Sequence, residues 1–279
     1  MSTTAEQPSP TRAALPPLWR ASLTRGACEL KKILRERDAV VFTLVFPIVM
    51  FVLFSAIFAG VMSQGPISAA QYYLPAMLTF GLMSTSFQNL GIGIATERDE
   101  GTLKRLRGTP MPKAAYFAGK MILVLVTCLT EAVILILVGA LVFGVDLPGE
   151  PARWWTFGWV VALGVGASTL LGIAVSSLPR SGRSASAVIT LPYMLLMFVS
   201  GVFIPAQILP EWVRQLGLLF PPAWLSQGLQ AAFLPDAFLA AQPGGPWDPV
   251  RAALVLAAWC AGGLVLCLLT FRWKSRRDG

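Results

Sequence analysis

Long apolar stretches alternate with short charged segments along most of the chain. A membrane-spanning helix needs about 20 apolar residues at a rise of 1.5 Å per residue, and six stretches meet this length. Backbone groups cannot face lipid without hydrogen bonds, and barrel strands would be about half as long, so the stretches predict α-helices. The pattern therefore predicts an all-α, polytopic membrane protein with six transmembrane helices, at about 39–62, 71–95, 114–145, 154–178, 184–204 and 252–271.

The composition of the 279-residue chain agrees with this pattern. Hydrophobic residues make up 55% of the sequence, charged residues make up 13%, and the mean hydropathy is +0.66. These values exclude an ordinary soluble enzyme and a disordered chain. The net charge of +8 is by itself compatible with nucleic acid, with an anionic membrane surface, or with no specific partner.

The positions of the basic residues along the chain distinguish between these interpretations of the net charge. Nineteen of the 22 lysines and arginines lie in segments 1–38, 96–120, 179–183 and 272–279. Only Arg153, Arg214 and Arg251 lie in the segments that would be on the other side of the bilayer. The positive-inside rule therefore predicts that both termini are cytoplasmic (N-in, C-in), and no nucleic-acid partner is expected.

The segments before the first span and after the last one have distinct patterns. Residues 1–17 are rich in Pro, Ser and Thr and predict a disordered lead-in, whereas residues 273–279 form a basic cytoplasmic tail. Residues 18–38 predict an interfacial helix between the lead-in and a membrane domain at 39–272. It is a surface anchor, a docking surface for a cytoplasmic partner, or both; its apolar stripe consists of Trp19, Leu23, Ala27, Leu30 and Leu34.

The longest charged run of the chain is Glu97–Pro110, within the loop 96–113 after the second span. Leu103 and Leu106 are three residues apart, which suits a short amphipathic helix that ends at Gly108 and Pro110. A solvated, basic cytoplasmic loop without a partner is the alternative interpretation.

The segment 205–251 between the last two spans is long for a connection and is not very polar. Apolar residues at helical spacing precede Pro221 and Pro222, and 223–234 is again compatible with a helix. We expect two short re-entrant helices at the outer side, followed by a turn at 242–248. They cap a pathway, or they form a packing lid without ligand contact.

Glu131 is the only ionisable residue well inside a predicted span. A charged carboxylate at mid-bilayer costs about 2.5–3.5 kcal/mol, so Glu131 should face the protein interior or be protonated. It is either a functional intramembrane site or a neutral acid that hydrogen-bonds to Ser or Thr of a neighbouring helix.

Small residues recur every four positions in the fourth span. Such a stripe allows close helix contact, either within the chain or with a second subunit. Its members are Gly164, Ser168, Gly172 and Ser176.

The sequence has no histidine and no G-x-x-x-x-G-K-[ST] or G-x-S-x-G motif, so it offers no metal site and no catalytic residue. No segment of it is suited to hydrolysing ATP. Energy for transport would come from a proton at Glu131 or from another subunit.

The layout as a whole resembles the type-2 permease subunits of ATP-binding-cassette exporters, most closely the bacterial daunorubicin-resistance-like branch. The resemblance covers residues from Leu18 to Arg272. Its most specific parts are the loop E-R-D-E-G-T-L-K-R-L-R-G-T-P and the segments F-I-P-A-Q-I-L-P-E-W and L-F-P-P-A-W-L-S-Q-G-L-Q.

The resemblance implies a coupling helix in the loop 96–113 that docks on a separate ATP-hydrolysing subunit. It identifies 18–38 as a connecting helix, with Glu29, Lys31 and Arg35 as contact residues, and 177–184 as a smaller second contact. The matching coupling positions are Glu97, Arg98, Glu100, Gly101, Thr102, Leu103, Leu106 and Pro110.

The resemblance further implies two permease chains, expected to be a homodimer, with two ATP-binding subunits in a bacterial cytoplasmic membrane. No cofactor is expected on this chain, because ATP and Mg²⁺ would bind to the partner subunit. The expected function is the export of a hydrophobic or amphiphilic small molecule, such as a drug or secondary metabolite, by alternating access. Candidate pathway residues are Phe80, Phe87, Gln88, Asn89 and Phe198.

Other functions stay open. The same architecture exports lipids and glycans, and fold does not determine cargo. A proton-driven carrier that uses Glu131 and a membrane-embedded enzyme belong to different classes. The enzyme is disfavoured by the missing histidine and nucleophile motifs.

Overall fold

A computed structural model describes residues 17–62, 65, 67–109, 112–240 and 247–271. Every regular element within these ranges is helical, which confirms the all-α prediction. The α-helices are α1 (Leu18–Arg35), α2 (Arg37–Met62), α3 (Ala69–Met83), α4 (Leu90–Asp99), α5 (Thr102–Arg107), α6 (Lys113–Phe143), α7 (Pro151–Val175), α8 (Gly182–Val199), α9 (Glu211–Gly217), α10 (Pro221–Phe233), α11 (Asp236–Ala240) and α12 (Pro249–Thr270).

Five of the described helices are long and apolar enough to cross a membrane, so the chain is a multi-pass membrane protein. The predicted second span differs from the other five, because α3 has only 15 residues and passes directly into the π-helical segment Ser84–Asn89 and then into α4. The five candidate spans are Val40–Gly60, Ala114–Phe143, Pro151–Val175, Gly182–Val199 and Pro249–Thr270.

Proline and glycine positions account for several helix limits. The sequence suggests that Pro221 and Pro222 interrupt a helix. In the structure they instead begin α10, where the missing backbone N–H of proline has no cost. The helix α8 ends at Val199 rather than near residue 204, because Gly201 adopts a left-handed conformation with φ 76°.

The stripe of small residues on α7 is used for packing within the chain. A Cβ atom at Gly164 would lie 2.6 Å from Leu225 of α10, and one at Gly172 would lie 2.7 Å from the carbonyl oxygen of Phe87 in the π-helical segment. Between them, the Ser168 hydroxyl lies 2.7 Å from the sulfur of Met83 in α3. The small side chains therefore let α7 contact three other elements closely.

The helix α1 lies against α6 with its small and polar face, not with its apolar stripe. Ser22, Gly26 and Glu29 are buried, whereas Trp19 and Leu34 of the predicted stripe are 59% and 69% exposed. An exposed apolar face beside basic side chains suits the predicted location in the membrane interface.

Different elements lie at the two ends of the helix bundle. At one end, called the basic end below, α1, α5 and the connection from α7 to α8 lie together. At the opposite end, α10 is almost entirely buried, and the Gln71 amide joins it to the bundle by donating to the carbonyl of Phe233 at 2.8 Å. A third short helix, α11, follows α10 and was not expected from the sequence.

Three predictions fall on residues outside the described ranges. They concern the disordered lead-in, most of the turn at 242–248, and the basic tail. Within that turn, Asp248 is described, and its side chain accepts hydrogen bonds from the first backbone N–H groups of α12.

Candidate functional site

A buried ion cluster joins three helices at the basic end. The Lys120 ammonium of α6 donates to Glu29 Oε2 of α1 at 2.9 Å and to Glu97 Oε1 of α4 at 2.7 Å. All three residues are only 4% exposed. Charges buried to this degree are tolerated only when they are paired and hydrogen-bonded. The position of α4 is thereby tied to α1 and α6.

Three further side chains complete this cluster. The Tyr116 hydroxyl donates to Glu97 Oε2 at 2.9 Å, so both oxygens of Glu97 are hydrogen-bonded. Arg25 pairs with Glu29, and its guanidinium lies over the Tyr116 ring, 5.6 Å from the ring centre. Lys32 lies 3.6 Å from Glu97 and is half exposed. We call Arg25, Glu29, Lys32, Glu97, Tyr116 and Lys120 the ion cluster.

The pKa of Glu97 follows from these contacts. Burial alone would raise the pKa of this carboxyl group. The charge of Lys120 and its hydrogen bond, together with the Tyr116 hydroxyl, outweigh burial and hold the pKa below its ordinary value. Glu97 is therefore a charged member of the cluster at neutral pH.

Two glycines bring α1 and α6 close enough for the cluster to form. A Cβ atom at Gly26 would lie 2.8 Å from Ile122 of α6, and one at Gly119 would lie 2.5 Å from the Arg25 side chain. Any larger side chain at either position would push the two helices apart. The close crossing places Glu29 within reach of Lys120.

The end of α4 also contacts the connection between α7 and α8. Arg98 donates to the carbonyl oxygen of Ser176 at 2.5 Å and to its hydroxyl at 3.2 Å. The next residue, Asp99, accepts a hydrogen bond of 3.0 Å from the backbone N–H of Gly182 at the start of α8. The loop after the predicted second span is thus joined to the predicted second contact segment.

The short helix α5 follows directly and is turned away from α4 by Gly101, whose φ of 76° is left-handed. Leu103 is fully buried and belongs to the hydrophobic core. Glu100, Lys104 and Arg105 are exposed. The helix therefore has one side anchored in the bundle and one charged side open to solvent.

These positions divide the residues predicted for coupling into two groups. Glu97, Arg98 and Leu103 are buried within this chain, so they cannot be surface contacts and instead hold the segment in place. Glu100 is exposed, Thr102 and Leu106 are half-buried, and Pro110 lies outside the described residues.

Of the predicted connecting-helix residues, Lys31 and Arg35 are exposed and Glu29 is buried. The coupling role of these residues stays a prediction.

Glu131 faces the protein interior, as predicted, and is 3% exposed. Its Oε2 atom accepts a hydrogen bond of 2.9 Å from the Thr85 hydroxyl in the π-helical segment. Its Oε1 atom has no hydrogen-bond partner among the described residues. The carboxyl group fits there because Gly81 has no side chain: a Cβ atom at that position would lie 2.0 Å from Oε1.

The candidate pathway residues do not share a surface. Phe80 and Phe87 are both buried in the hydrophobic core, so neither faces a cavity in this structure, and their role in a pathway stays a prediction. Gln88 donates to the Thr190 hydroxyl at 2.9 Å. Asn89 and Phe198 are exposed on different helices. Aromatic residues in tightly packed helices fill the core, which sequence alone does not distinguish from a cavity wall.

Sequence analysis missed four members of the ion cluster, which it treated only as basic helix or loop residues or not at all: Arg25, Lys32, Tyr116 and Lys120. A signal was present, since Tyr116 and Lys120 are four residues apart and therefore share one face of a helix, as do Arg25 and Glu29. Within the described residues no group of three His, Cys, Asp or Glu side chains could hold a metal ion.

Comparison with known proteins places the ion cluster and Glu131 in a shared region. A sequence profile of the family described as "ABC-2 type transporter" matches residues 24–234. The "Putative transport permease YvfS" of Bacillus subtilis (strain 168) is 27% identical over 205 residues, which are 73% of this chain and 82% of YvfS. The "Probable multidrug ABC transporter permease YbhR" of Escherichia coli (strain K12) is 26% identical over 168 residues, 60% of this chain and 44% of YbhR.

Proposed function

Because the chain belongs to the ABC-2 type transporter family, we propose that it is the transmembrane permease subunit of an ATP-driven exporter. It moves a hydrophobic or amphiphilic small molecule out of the cell by alternating access. ATP is hydrolysed on a separate subunit, which binds ATP and Mg²⁺. The chain itself is a membrane transport component and not an ATPase.

The observation that supports coupling to such a subunit is the attachment of α5. Its buried side is fixed to the bundle by Leu103, and the adjoining end of α4 is held by Lys120 and by Ser176. A force applied to α5 by a partner would therefore move α1, α6 and α7 together, as a rigid-body mechanism requires. The exposed side offers Glu100 and Arg105 to the partner.

The proposed topology has six membrane-spanning segments, of which the second is 71–95, running from α3 through the π-helical segment into the first part of α4. The basic end is cytoplasmic, which makes both termini cytoplasmic and agrees with the positive-inside rule. The membrane is the cytoplasmic membrane of a bacterium. Under this topology α9 to α11 form the outer cap of the permease.

The proposed assembly contains two copies of this chain and two ATP-binding subunits. One apolar surface on α8 is available to a second copy or to lipid. Its residues step by three and four positions and are exposed: Val188, Leu191, Leu195 and Phe198.

The cargo that we favour is a drug or secondary metabolite. The name of YbhR, a probable multidrug permease, supports this class, although that protein matches only part of this chain. Export of a lipid or a glycan by the same assembly is the alternative.

The decisive experiment is to co-purify the chain with the product of a neighbouring gene and to measure vanadate-sensitive, substrate-stimulated ATPase activity. In the double variant Glu100→Ala, Arg105→Ala we expect the stimulation to be lost, because the exposed side of α5 no longer pairs with the partner. The matched control is Glu211→Ala, Arg214→Ala, which removes an exposed ion pair of α9 at the opposite end.

Two results would reject the proposal: the absence of an associated ATPase subunit, or full stimulation in the α5 variant. A proton-driven carrier is the second candidate function, since Glu131 is a buried acid with a single hydrogen-bond donor among the described residues. That candidate requires transport to follow the proton gradient without ATP and to stop in Glu131→Gln.

A further inference from the structure

A groove of about 580 Å³ runs along the bundle between α1, α2, α4 and α6. On α6 its wall extends from Lys120, a member of the ion cluster, to Thr130, ten residues further. At 1.5 Å per residue this length is about 15 Å, which is half of the hydrocarbon thickness of a bilayer. The groove is therefore about as long as the hydrocarbon of one leaflet is deep.

The side of the groove is open to the surroundings of the bundle. Two of its walls belong to the candidate membrane spans Val40–Gly60 and Ala114–Phe143. Leu34, Phe42 and Val126 line the groove and are exposed, so no other part of the described chain covers them. Because the surroundings of a membrane span are lipid and not water, the molecule with direct access to this groove is a lipid of the adjacent leaflet.

The deeper wall of the groove is suited to an acyl chain. The Thr127 and Thr130 hydroxyls donate to carbonyl oxygens of α6 itself, at 2.9 and 2.8 Å, so they require nothing from an occupant. Asn89 is an exception, since its exposed amide has no hydrogen-bond partner among the described residues. The rest of the deeper wall is formed mainly by apolar side chains: Leu44, Leu90, Ile92, Leu123 and Val124. A chain of methylene groups matches this wall better than a polar molecule does.

The mouth of the groove carries one accessible positive charge and one accessible negative charge. Lys32 is half exposed, and its ion pair with Glu97 is 3.6 Å long, which exceeds hydrogen-bond distance, so no described residue uses its three N–H donors. Glu36 directly follows α1, is exposed and makes no ion pair with a described residue. The other charged groups of the wall, Glu29, Glu97 and Lys120, are buried in the ion cluster.

This pair of charges is complementary to a phospholipid headgroup that contains a primary ammonium. The Lys32 ammonium can donate to phosphate oxygens, and the Glu36 carboxylate can accept hydrogen bonds from the headgroup ammonium. A quaternary ammonium has no N–H group to donate. A headgroup without an amine leaves Glu36 beside the negative phosphate. The mouth of the groove therefore distinguishes between headgroups, whereas the apolar wall does not.

We propose that the groove binds one aminophospholipid of the adjacent leaflet, with the chemistry of phosphatidylethanolamine. One acyl chain lies in the groove, the phosphate binds at Lys32, and the primary ammonium binds at Glu36. Under the proposed topology this leaflet is the cytoplasmic one. The inference goes beyond the proposed function, because binding of this lipid requires no ATP, no partner subunit and no cargo.

The test is native mass spectrometry of the full chain in detergent, titrated with phosphatidylethanolamine, phosphatidylcholine and phosphatidylglycerol that carry the same acyl chains. We expect one phosphatidylethanolamine molecule to bind about tenfold more tightly than either of the other lipids, as is typical of a hydrogen bond between charged groups. Glu36→Gln should abolish this preference. Glu100→Gln, at an exposed acid outside the groove wall, should retain it.

A second variant tests the phosphate contact. Lys32→Met should weaken the binding of all three lipids, because each of them contains the phosphate. Lys31→Met is the matched control, since Lys31 is exposed on the same helix but does not line the groove.

Two further variants test the wall. A Cβ atom at Gly93, which lines the groove, has no neighbour within 4 Å, so Gly93→Leu should fill the groove without a clash and weaken all three lipids. Gly262→Leu on α12 is equally free of neighbours and serves as the control. Asn89→Leu makes the deeper wall more apolar and should bind the lipids at least as tightly as the wild-type chain.

The proposal is wrong if the wild-type chain shows no preference for phosphatidylethanolamine, or if Glu36→Gln retains that preference. It is also wrong if Lys32→Met or Gly93→Leu binds the three lipids normally, or if Asn89→Leu binds them more weakly, which would indicate a polar occupant. These results leave the proposed function untouched, because that is judged by the ATPase activity of the assembled complex. Conversely, the absence of an ATPase partner would reject the exporter and leave the lipid site standing.

Discussion

The Lys120 ammonium contacts one carboxylate on each of two other helices, Glu29 of α1 and Glu97 of α4. Without these carboxylates, a buried lysine would be strongly unfavourable because its charge would have no partner. Two buried acids and one buried base can be accommodated because Arg25 and Lys32 add positive charge at the rim of the cluster. The other members depend most on Lys120, since it is hydrogen-bonded to both buried carboxylates and its removal leaves them only the cations at the rim. The ion cluster therefore acts as a single structural unit.

Replacing Lys120 with methionine should destabilise the chain by about 3–5 kcal/mol, because the buried carboxylates of Glu29 and Glu97 lose the ammonium group that both share and keep only the cations at the rim. The free energy of unfolding in detergent, followed by circular dichroism, measures this change. Lys31→Met is the matched control, since Lys31 is exposed on α1 and should have almost no effect. Equal stability of the two variants would contradict the structural role of Lys120.

The depressed pKa of Glu97 predicts a specific pH dependence of stability. A carboxyl group whose pKa is lower in the folded state stabilises that state fully above its unfolded value of about 4.5, and this contribution is lost as pH falls through the folded pKa. The difference in unfolding free energy between wild type and Glu97→Gln should therefore shrink below about pH 4.5. Glu100→Gln, at an exposed position, should follow the wild-type curve, and a constant difference for Glu97→Gln would refute the assignment.

Sequence analysis placed Glu131 correctly in the protein interior, but it assigned Glu97 to a docking surface and could not identify the partners of Glu97 within the chain. The interior position of Glu131 follows from its place in an apolar stretch and from the cost of exposing a carboxylate to lipid. The pairing of Glu97 with Lys120 depends on how α1, α4 and α6 cross, which is determined by Gly26 and Gly119. Tertiary contacts between residues 91 positions apart, such as Glu29 and Lys120, have no local sequence signal.

At the scale of elements, α5 is short and owes its direction to the residue before it. Gly101 adopts a left-handed conformation at the end of α4, and its hypothetical Cβ atom has no neighbour within 4 Å. The requirement for glycine is thus conformational and not a matter of space. Changing this residue tests the direction of α5 without disturbing the ion cluster directly.

Gly101→Ala should strain the turn by about 1–2 kcal/mol and alter the angle between α4 and α5. We expect lower substrate-stimulated ATPase activity in the assembled complex, while the thermal stability of the membrane domain changes little. Gly108→Ala, at the other end of the same helix, is the control, because Gly108 has an ordinary right-handed conformation. If the substrate stimulates the ATPase activity of the complex normally in both variants, the direction of α5 has no role in coupling.

The limits of sequence analysis at this scale are clearest in the second predicted span. Hydropathy located the apolar run correctly, because burial in lipid or in the bundle imposes the same composition. The π-helical segment Ser84–Asn89 was not predicted, since it changes the backbone hydrogen bonds and leaves the hydropathy unaltered. A helix at α10 was predicted, although its start at Pro221 was not.

At the scale of the whole molecule, charge and exposure are arranged along one axis. The ion cluster, α5 and the connection from α7 to α8 lie at the basic end, and the opposite end is closed by α10 and its hydrogen bonds to α3. Such a polarity suits a protein that exchanges energy on one side of a membrane and releases its cargo on the other.

The native cysteines permit a direct test of the proposed orientation. Cys28 is exposed on α1, whereas Cys128 and Cys267 are buried and Cys260 lies within α12. A membrane-impermeant maleimide should therefore label Cys28 in inverted vesicles and leave it unmodified in intact cells. Trp212→Cys, made in a Cys28→Ser background, should show the reverse, because Trp212 is exposed on α9. Labelling of Cys28 in intact cells would show that the topology is the reverse of the one proposed.

The π-helical segment has a consequence for the tolerance of the chain to changes in length. A π-helical turn contains one residue more than the α-helical turn it replaces, and each residue of an α-helix accounts for a rotation of about 100°. Removing one residue between Ser84 and Asn89 would let the backbone become regular and would rotate α4 by that angle relative to α3. Glu97 would then face away from Lys120, and Arg98 away from Ser176. These six residues therefore set the angular register between the carboxyl group in the membrane and the helix that meets the solvent.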